Sequence, residues 1–216
     1  MTRQQGKPFP LSRLGSLIEK RYSERAFQRN AALLPGEIER IVCVALHAPS
    51  PSGRNPFCFV LLEDRGLLAT LATEIEEAFD LLRESARADS SRLKTIEYYE
   101  RHSLFVRNAG AVLLCYTNDR ESILDAFLSC KGGEAANLLS LGAVLQNIGL
   151  LCTESGIGHC ILSAVVELAP ELFARICPAP EHLTLRCLVA FGKPVSEGRS
   201  IPGRVRVHRH LKVIGK

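Results

Sequence analysis

Residues 132–165 read GGEAANLLSLGAVLQNIGLLCTESGIGHCILSAV. Apolar residues recur at Leu138, Leu141, Leu145, Ile148 and Cys152, three or four apart, which is the period of one helix face. The opposite side carries Ser140, Gly142, Ala143 and Asn147, small or weakly polar rather than charged. Glu134 is the only charge between Gly133 and Cys152, and it lies in the first turn, where the helix dipole favours an acid. A helix this apolar around its circumference is expected to bury most of its surface. Gly142 and Gly149 interrupt it, so an unbroken apolar run of about 18 residues is missing, and the reading is a central soluble helix rather than a membrane span. Gly156-Ile157-Gly158 is a helix stop. A strand-like run from His159 to Val166 follows.

The rest of the composition bounds the class. At 216 residues the chain suits one domain with a sizeable core. Apolar residues make up 46% and charged residues 23%, ordinary for a globular protein. A net charge of +4 is too mild to argue for nucleic acid. Most of the excess is local, since residues 199–216 hold Arg199, Arg204, Arg206, Arg209, Lys212 and Lys216 and no acid. Residues 1–15 lack an apolar core, so no secretory signal is read and a cytoplasmic location is expected. The eight cysteines form no C-x-x-C pair and mostly lie inside apolar runs; they read as core residues of a reducing compartment, with no metal site.

Residues 1–10 read as a polar arm. A short amphipathic helix (Leu11, Leu14, Leu17, Ile18) leads into Arg21-Tyr22-Ser23-Glu24-Arg25-Ala26-Phe27. Two guanidiniums and a hydroxyl on a short extended segment can converge on a phosphate, since Arg offers bidentate donors. A second helix starts at Leu34-Pro35-Gly36-Glu37 and buries Ile38, Ile41, Val42 and Leu46. The loop Ala48-Pro49-Ser50-Pro51-Ser52-Gly53-Arg54-Asn55-Pro56-Phe57 precedes a strand at Cys58–Leu62. Residues 66–103 read as charged helices, and Ala109–Tyr116 as a central strand. A helix from Glu171 to Cys177 and a strand from Leu183, closed by Gly192-Lys193-Pro194, complete the set. No G-x-G-x-x-G follows a strand, so a nicotinamide cofactor would visit rather than reside.

Four of these segments, in order, resemble the nitroreductase-like flavoprotein family. Arg21 to Phe27 resembles its opening R-R-S-x-R-x-F. Ala48 to Phe59 resembles its A-P-S-x-x-N-x-Q-P-W-x-F loop, with Asn55 for Gln, Phe57 for Trp and Gly53 for Asn. Gln146-Asn147 and the turn Gly156 to Ala164 resemble its Q-N helix and G-L-G-S-C-W-I-G-G, with Ser163-Ala164 for Gly-Gly. Leu188 to Pro194 resembles its late strand.

The resemblance implies an α+β fold, a mixed, mostly antiparallel sheet flanked by helices, in an intertwined homodimer with two FMN sites at the subunit interface. It implies that Arg21, Tyr22 and Ser23, with Arg204 and Arg206, hold the cofactor phosphate, and that Arg25 lies near the pyrimidine edge. Ser50, Gly53, Asn55 and Asn147 would line the cofactor. Backbone N–H groups of Leu162, Ser163 and Ala164 would face the flavin N5 region. Residues 66–103 would be a variable cover, with Tyr98, Tyr99 and His102 as substrate contacts, and 199–216 a tail docked on the partner subunit. The implied activity is FMN-dependent, NAD(P)H-driven reduction of nitroaromatics, quinones or similar acceptors by ping-pong hydride transfer. Alternatives are a dehalogenating, flavin-fragmenting or substrate-dehydrogenating relative, or a non-catalytic flavin-binding protein. Since FMN carries the redox step, no catalytic dyad is needed in the chain, and His159 reads as structural. No stable nucleic-acid partner and no membrane are expected.

Overall fold

The computed structural model describes residues 13–29, 31–118, 132–168, 170–176 and 182–196. The N-terminal arm, Arg204, Arg206 and the basic tail lie outside the described residues. Seven α-helices are described: α1 Arg13–Lys20, α2 Glu37–Ala45, α3 Arg65–Ser85, α4 Ser90–Arg101, α5 Gly132–Ser155, α6 Ala164–Leu168 and α7 Pro170–Ile176. The strands are β1 Phe57–Leu62, β2 Ala111–Asn118, β3 Gly158–Leu162 and β4 Leu183–Gly192. They form one sheet in the order β1-β2-β4-β3. Every described pairing is antiparallel. Apolar alternation specifies which face a strand buries but not the direction of its neighbour, so the parallel component expected from the resemblance has no counterpart among the described strands.

β2 is covered on both faces, which is why it reads as a continuous apolar run. Ala111, Leu113 and Cys115 pack with Ile38, Ile41 and Ala45 of α2 and with Leu141, Val144 and Ile148 of α5. Val112, Leu114 and Tyr116 face the other way, toward Leu68, Leu71, Ile75 and Phe79 of α3 and toward Leu172 and Phe173 of α7. A bulge between Cys115 and Tyr116 leaves Arg186 as the extra residue of β4. Its guanidinium donates to Thr117 Oγ1 at 2.7 Å and pairs with Glu134 at 2.9 Å, so the start of α5 is tied to this end of the sheet.

The residues expected in pieces over 66–103 are two capped helices. Asp64 accepts from the Leu67 N–H at the start of α3, and Asp89 accepts from the Ser91 and Arg92 N–H groups at the start of α4. Pro35 and Gly36 form a turn outside α2 rather than its first turn; Glu37 reaches back to accept the Leu34 N–H. The strand expected to continue to Val166 ends at Leu162. Val165 and Val166 lie on α6, because an apolar β-branched pair fits a buried helix turn as well as a strand, and the Val166 N–H closes onto the Ser163 carbonyl.

α5 departs from its sequence reading in one respect. Its buried stripe is Leu141, Val144, Ile148 and Cys152, rotated from the expected face, with Leu145 only half-buried. Leu138 is exposed and Leu139 is 78% exposed. By length and composition Gly133–Ser155 could cross a membrane. Here one stripe packs on the sheet and on α2, while much of the remaining apolar surface is left uncovered by the described residues.

Candidate functional site

The segment after α1 lies along the free edge of β3. Its anchor is Glu24. This carboxylate is 2% exposed and accepts from the Arg25 N–H (2.9 Å), the Ala26 N–H (2.7 Å) and the Tyr22 hydroxyl (2.6 Å). The Glu24 N–H donates to the His159 carbonyl on β3 at 2.8 Å, and Gln28 and Val195 add backbone bonds further along. The packing needs glycine opposite. A Cβ on Gly158 would stand 2.8 Å from Glu24 Cγ, and one on Gly192 would stand 2.7 Å from Phe27 Cγ. Thus Glu24 and Phe27 point inward over two glycines, while Ser23 and Arg25 stay exposed.

Arg21 is set by three elements. Its N–H continues α1 by donating to the Leu17 carbonyl at 2.9 Å. Its Cδ would lie 3.2 Å from a Cβ on Gly149 of α5, beside the His159 ring. Among the described residues neither Arg21 nor Arg25 has an ion-pair partner, and the Arg25 guanidinium donates to the Ser23 carbonyl. The only carboxylate of the segment is held by its own backbone. Two cations and a hydroxyl are thus carried by one short segment beside β3, with no carboxylate of that segment left to neutralise them, a set of groups that suits a phosphate monoester.

Cys160 and His159 report on the same spot. Burial pushes the Cys160 thiol up; Arg25, a hydrogen bond with Ser23 and Arg21 act in the opposite sense. Burial and then the Arg21 charge lower the His159 pKa to about 4. The guanidiniums are thus felt on both sides of β3: Arg21 on the α5 face, and Ser23 and Arg25 beside Cys160.

A family model described as Nitroreductase family matches residues 18–193, which include every element described above except the start of α1. The chain belongs to the nitroreductase family. No curated protein matches it. Among solved structures it is similar to a BluB-like flavoprotein from Clostridium difficile, with 21% identity and a TM-score of 0.77 over 95% of this chain and 100% of that one. It is similar to a nitroreductase with bound FMN from Desulfitobacterium hafniense, with 18% identity and a TM-score of 0.71 over 95% and 100%. It is also similar to an FMN-dependent nitroreductase from another Clostridium difficile strain, with 14% identity and a TM-score of 0.64 over 93% and 98%. At these identities the likeness is one of fold: the α+β nitroreductase fold.

Within this nitroreductase-family chain the remaining candidates fall into separate places. Leu162, Ser163 and Ala164 follow His159 along the same edge, with Leu162 about 10 Å from it at strand spacing. Ser50, Gly53 and Asn55 precede β1, three strands across the sheet and toward its other end, since Phe57 lies level with Thr184 of β4 while His159 lies level with Phe191. The Asn55 N–H donates to Ser50 Oγ at 3.1 Å, and Ser52, Gly53 and Asn55 all have positive φ. At φ 67 Gly53 is in the left-handed region that Asn also tolerates, so glycine in place of the family's Asn keeps the turn while losing the side chain. Asn147 donates to the Ala45 carbonyl at 3.2 Å, joining α5 to the end of α2. The exposed Tyr98 and Tyr99 at the end of α4 and the half-buried His102 just after it form a cluster, with the Tyr98 and His102 rings 4.2 Å apart. That helix packs mainly on α3 and the turn Leu104–Asn108 rather than on β3.

Sequence reasoning passed over Glu24, Cys160 and the contact of Phe27 with Gly158 and Gly192. A signal existed for the last: two glycines at the ends of paired strands, beside a segment carrying a large aromatic. Nothing in the sequence marked Glu24, because a carboxylate is buried only where a turn aims backbone N–H groups at it.

Proposed function

We propose that the chain is an FMN-dependent oxidoreductase, taking hydride from NADH or NADPH and passing it to a nitroaromatic, quinone or similar small acceptor, as a cytosolic homodimer. The observation that carries this reading is the inward-held Glu24 beside the half-buried Arg21 and the exposed Ser23 and Arg25, in a chain of the nitroreductase family. These residues fit FMN: the cations suit its phosphate, and the β3 edge runs from them to the backbone of Leu162–Ala164 over a length suited to a ribityl chain. Bound FMN supplies the hydride chemistry. Arg21 and Ser23 hold the phosphate end, Arg25 adds positive charge near the pyrimidine edge, and the Leu162–Ala164 backbone orients the ring. The tail arginines Arg204 and Arg206 complete the phosphate contacts, and Tyr98, Tyr99 and His102 contact the acceptor.

A second copy is part of the proposal. Ser50, Gly53 and Asn55 stand across the sheet from Arg21, so one chain supplies the two halves of a site at opposite edges. Leu14, Ile18, Val44 and Leu139 are exposed around α1, α2 and α5, an apolar surface of the kind that marks an interface. Leu139→Glu discriminates. On a free surface it changes stability by no more than about 0.5 kcal/mol; in an interface it buries an unpaired charge and yields monomers or aggregate. A monomeric wild type by sedimentation at micromolar concentration, still holding FMN, contradicts the dimer.

The test of the activity is anaerobic: titration with FMN, then stopped-flow mixing with NADH and with NADPH. Bound FMN bleached by either nucleotide is the expected result, and protein that retains no FMN refutes it. Retained FMN that neither nucleotide bleaches points instead to substrate-driven chemistry or flavin storage. Removal of residues 200–216 is expected to lower FMN affinity and dimer stability together, because Val205, Val207, Leu211, Val213 and Ile214 give the tail apolar area a solvated arm does not need. A truncated protein that keeps flavin and dimer but loses salt-sensitive retention on DNA or RNA would assign the tail to nucleic acid.

A further inference from the structure

His159 occupies a space made for it. It is the second residue of β3, 3% exposed, and its backbone carbonyl is the acceptor that fastens Glu24. Its ring lies against the bare Cα of Gly149. A Cβ on that glycine would stand 2.8 Å from Nε2, 3.4 Å from Cε1 and 3.2 Å from Arg21 Cδ. A glycine in mid-helix costs roughly 0.5–1 kcal/mol relative to alanine, and here it admits an imidazole and an arginine stem side by side. Gly142 of the same helix has open space where its Cβ would be, so the crowding belongs to Gly149 and not to helix glycines in general.

We infer that His159 is a positioning residue: its ring wedges the Arg21 stem against Gly149 of α5 and so aims the guanidinium at the phosphate of the bound mononucleotide. This rests on the FMN reading given above. The ring does this work uncharged. Among the described residues Arg21 is the charge felt at the ring, Gly149 is where the ring meets α5, and the Glu24 carboxylate is engaged by its own segment. A neutral ring adds no competing cation and leaves the phosphate to Arg21.

Such a role predicts an effect on the phosphate alone. Affinities for FMN and for riboflavin, which has the same ring system without the phosphate, are measured on the full chain by fluorescence titration. His159→Ala is expected to weaken FMN about tenfold and leave riboflavin unchanged. His159→Gln, neutral and planar, is expected to restore most of the FMN affinity. Gly149→Ala enters the same contact from the helix side and is expected to reproduce the selective FMN loss, which keeps the test open if His159→Ala fails to fold. Equal losses for FMN and riboflavin would reduce His159 to a structural residue and overturn the inference, as would unchanged FMN affinity in His159→Ala and Gly149→Ala. A wild type that binds no FMN overturns the underlying reading as well, and so is told apart from failure of the inference alone.

Discussion

The free energy of unfolding is expected to fall by about 3 kcal/mol between pH 6.5 and pH 4 through His159 alone. The folded-state pKa is lowered from 6.5 to about 4, first by burial and then by Arg21. Above pH 6.5 the ring is neutral in both states and contributes no pH dependence. As pH falls below that value the unfolded chain takes up a proton that the folded chain refuses, so the unfolded state gains. The loss is complete only below pH 4. The carboxylates of the chain titrate in an overlapping range, so the quantity to measure is a difference. Urea unfolding of the wild type and of His159→Gln, from pH 8 to pH 4, should give curves that are parallel above pH 7 and converge on acidification. Curves that stay parallel to pH 4 would mean that the imidazole is accommodated with its charge. Arg21→Ala should move the same transition in a predictable direction: with the neighbouring cation gone, the folded pKa rises and the acid loss shrinks.

Arg21→Ala is also expected to weaken FMN binding by about 1.5–3 kcal/mol, the range for a hydrogen bond to a charged group. That is roughly a ten- to hundredfold rise in Kd. The comparison is Arg92→Ala, which removes the same charge from exposed α4, where Arg92 pairs with Asp89. Loss of general positive charge would affect both variants slightly and fade as salt shortens the Debye length; loss of a phosphate ligand affects one strongly. FMN titration at two salt concentrations separates these. Equal affinity of wild type and Arg21→Ala would remove the phosphate assignment and leave the basic edge as a surface feature.

Which parts of this arrangement could be read in advance follows from the range of the interactions responsible. The helix of residues 132–155 and its stop at Gly156, the strands at Phe57–Leu62 and Leu183–Gly192, and the phosphate-suited residues Arg21, Ser23 and Arg25 depend on periodicity, turn chemistry and side-chain type, all local properties of the chain. The rotated stripe of α5 was not legible, since a helix apolar on nearly every side offers several faces and only the sheet and α2 choose among them. The length of β3 was not legible either: the pair Val165-Val166 satisfies a buried helix turn and a strand alike, and the Ser163 carbonyl decided it. The strand order that sets Ser50, Gly53 and Asn55 across the sheet from Arg21 depends on pairings between residues far apart in the chain, such as Ala111 with Phe191 and Phe57 with Thr117. Glu24 and His159 carry the same lesson at the site itself. A carboxylate and an imidazole in a sequence read as solvated or structural by default; only the folded turn aims the Arg25 and Ala26 N–H groups at Glu24, and only the packing of β3 on α5 brings the bare Gly149 to His159. By itself the sequence determined the family, the helix at its centre and the chemical character of the anion-facing segment, because composition and spacing carry those. The tertiary structure alone decided which charges stay free and which are enclosed, because burial is a property of neighbours that the chain brings together only on folding.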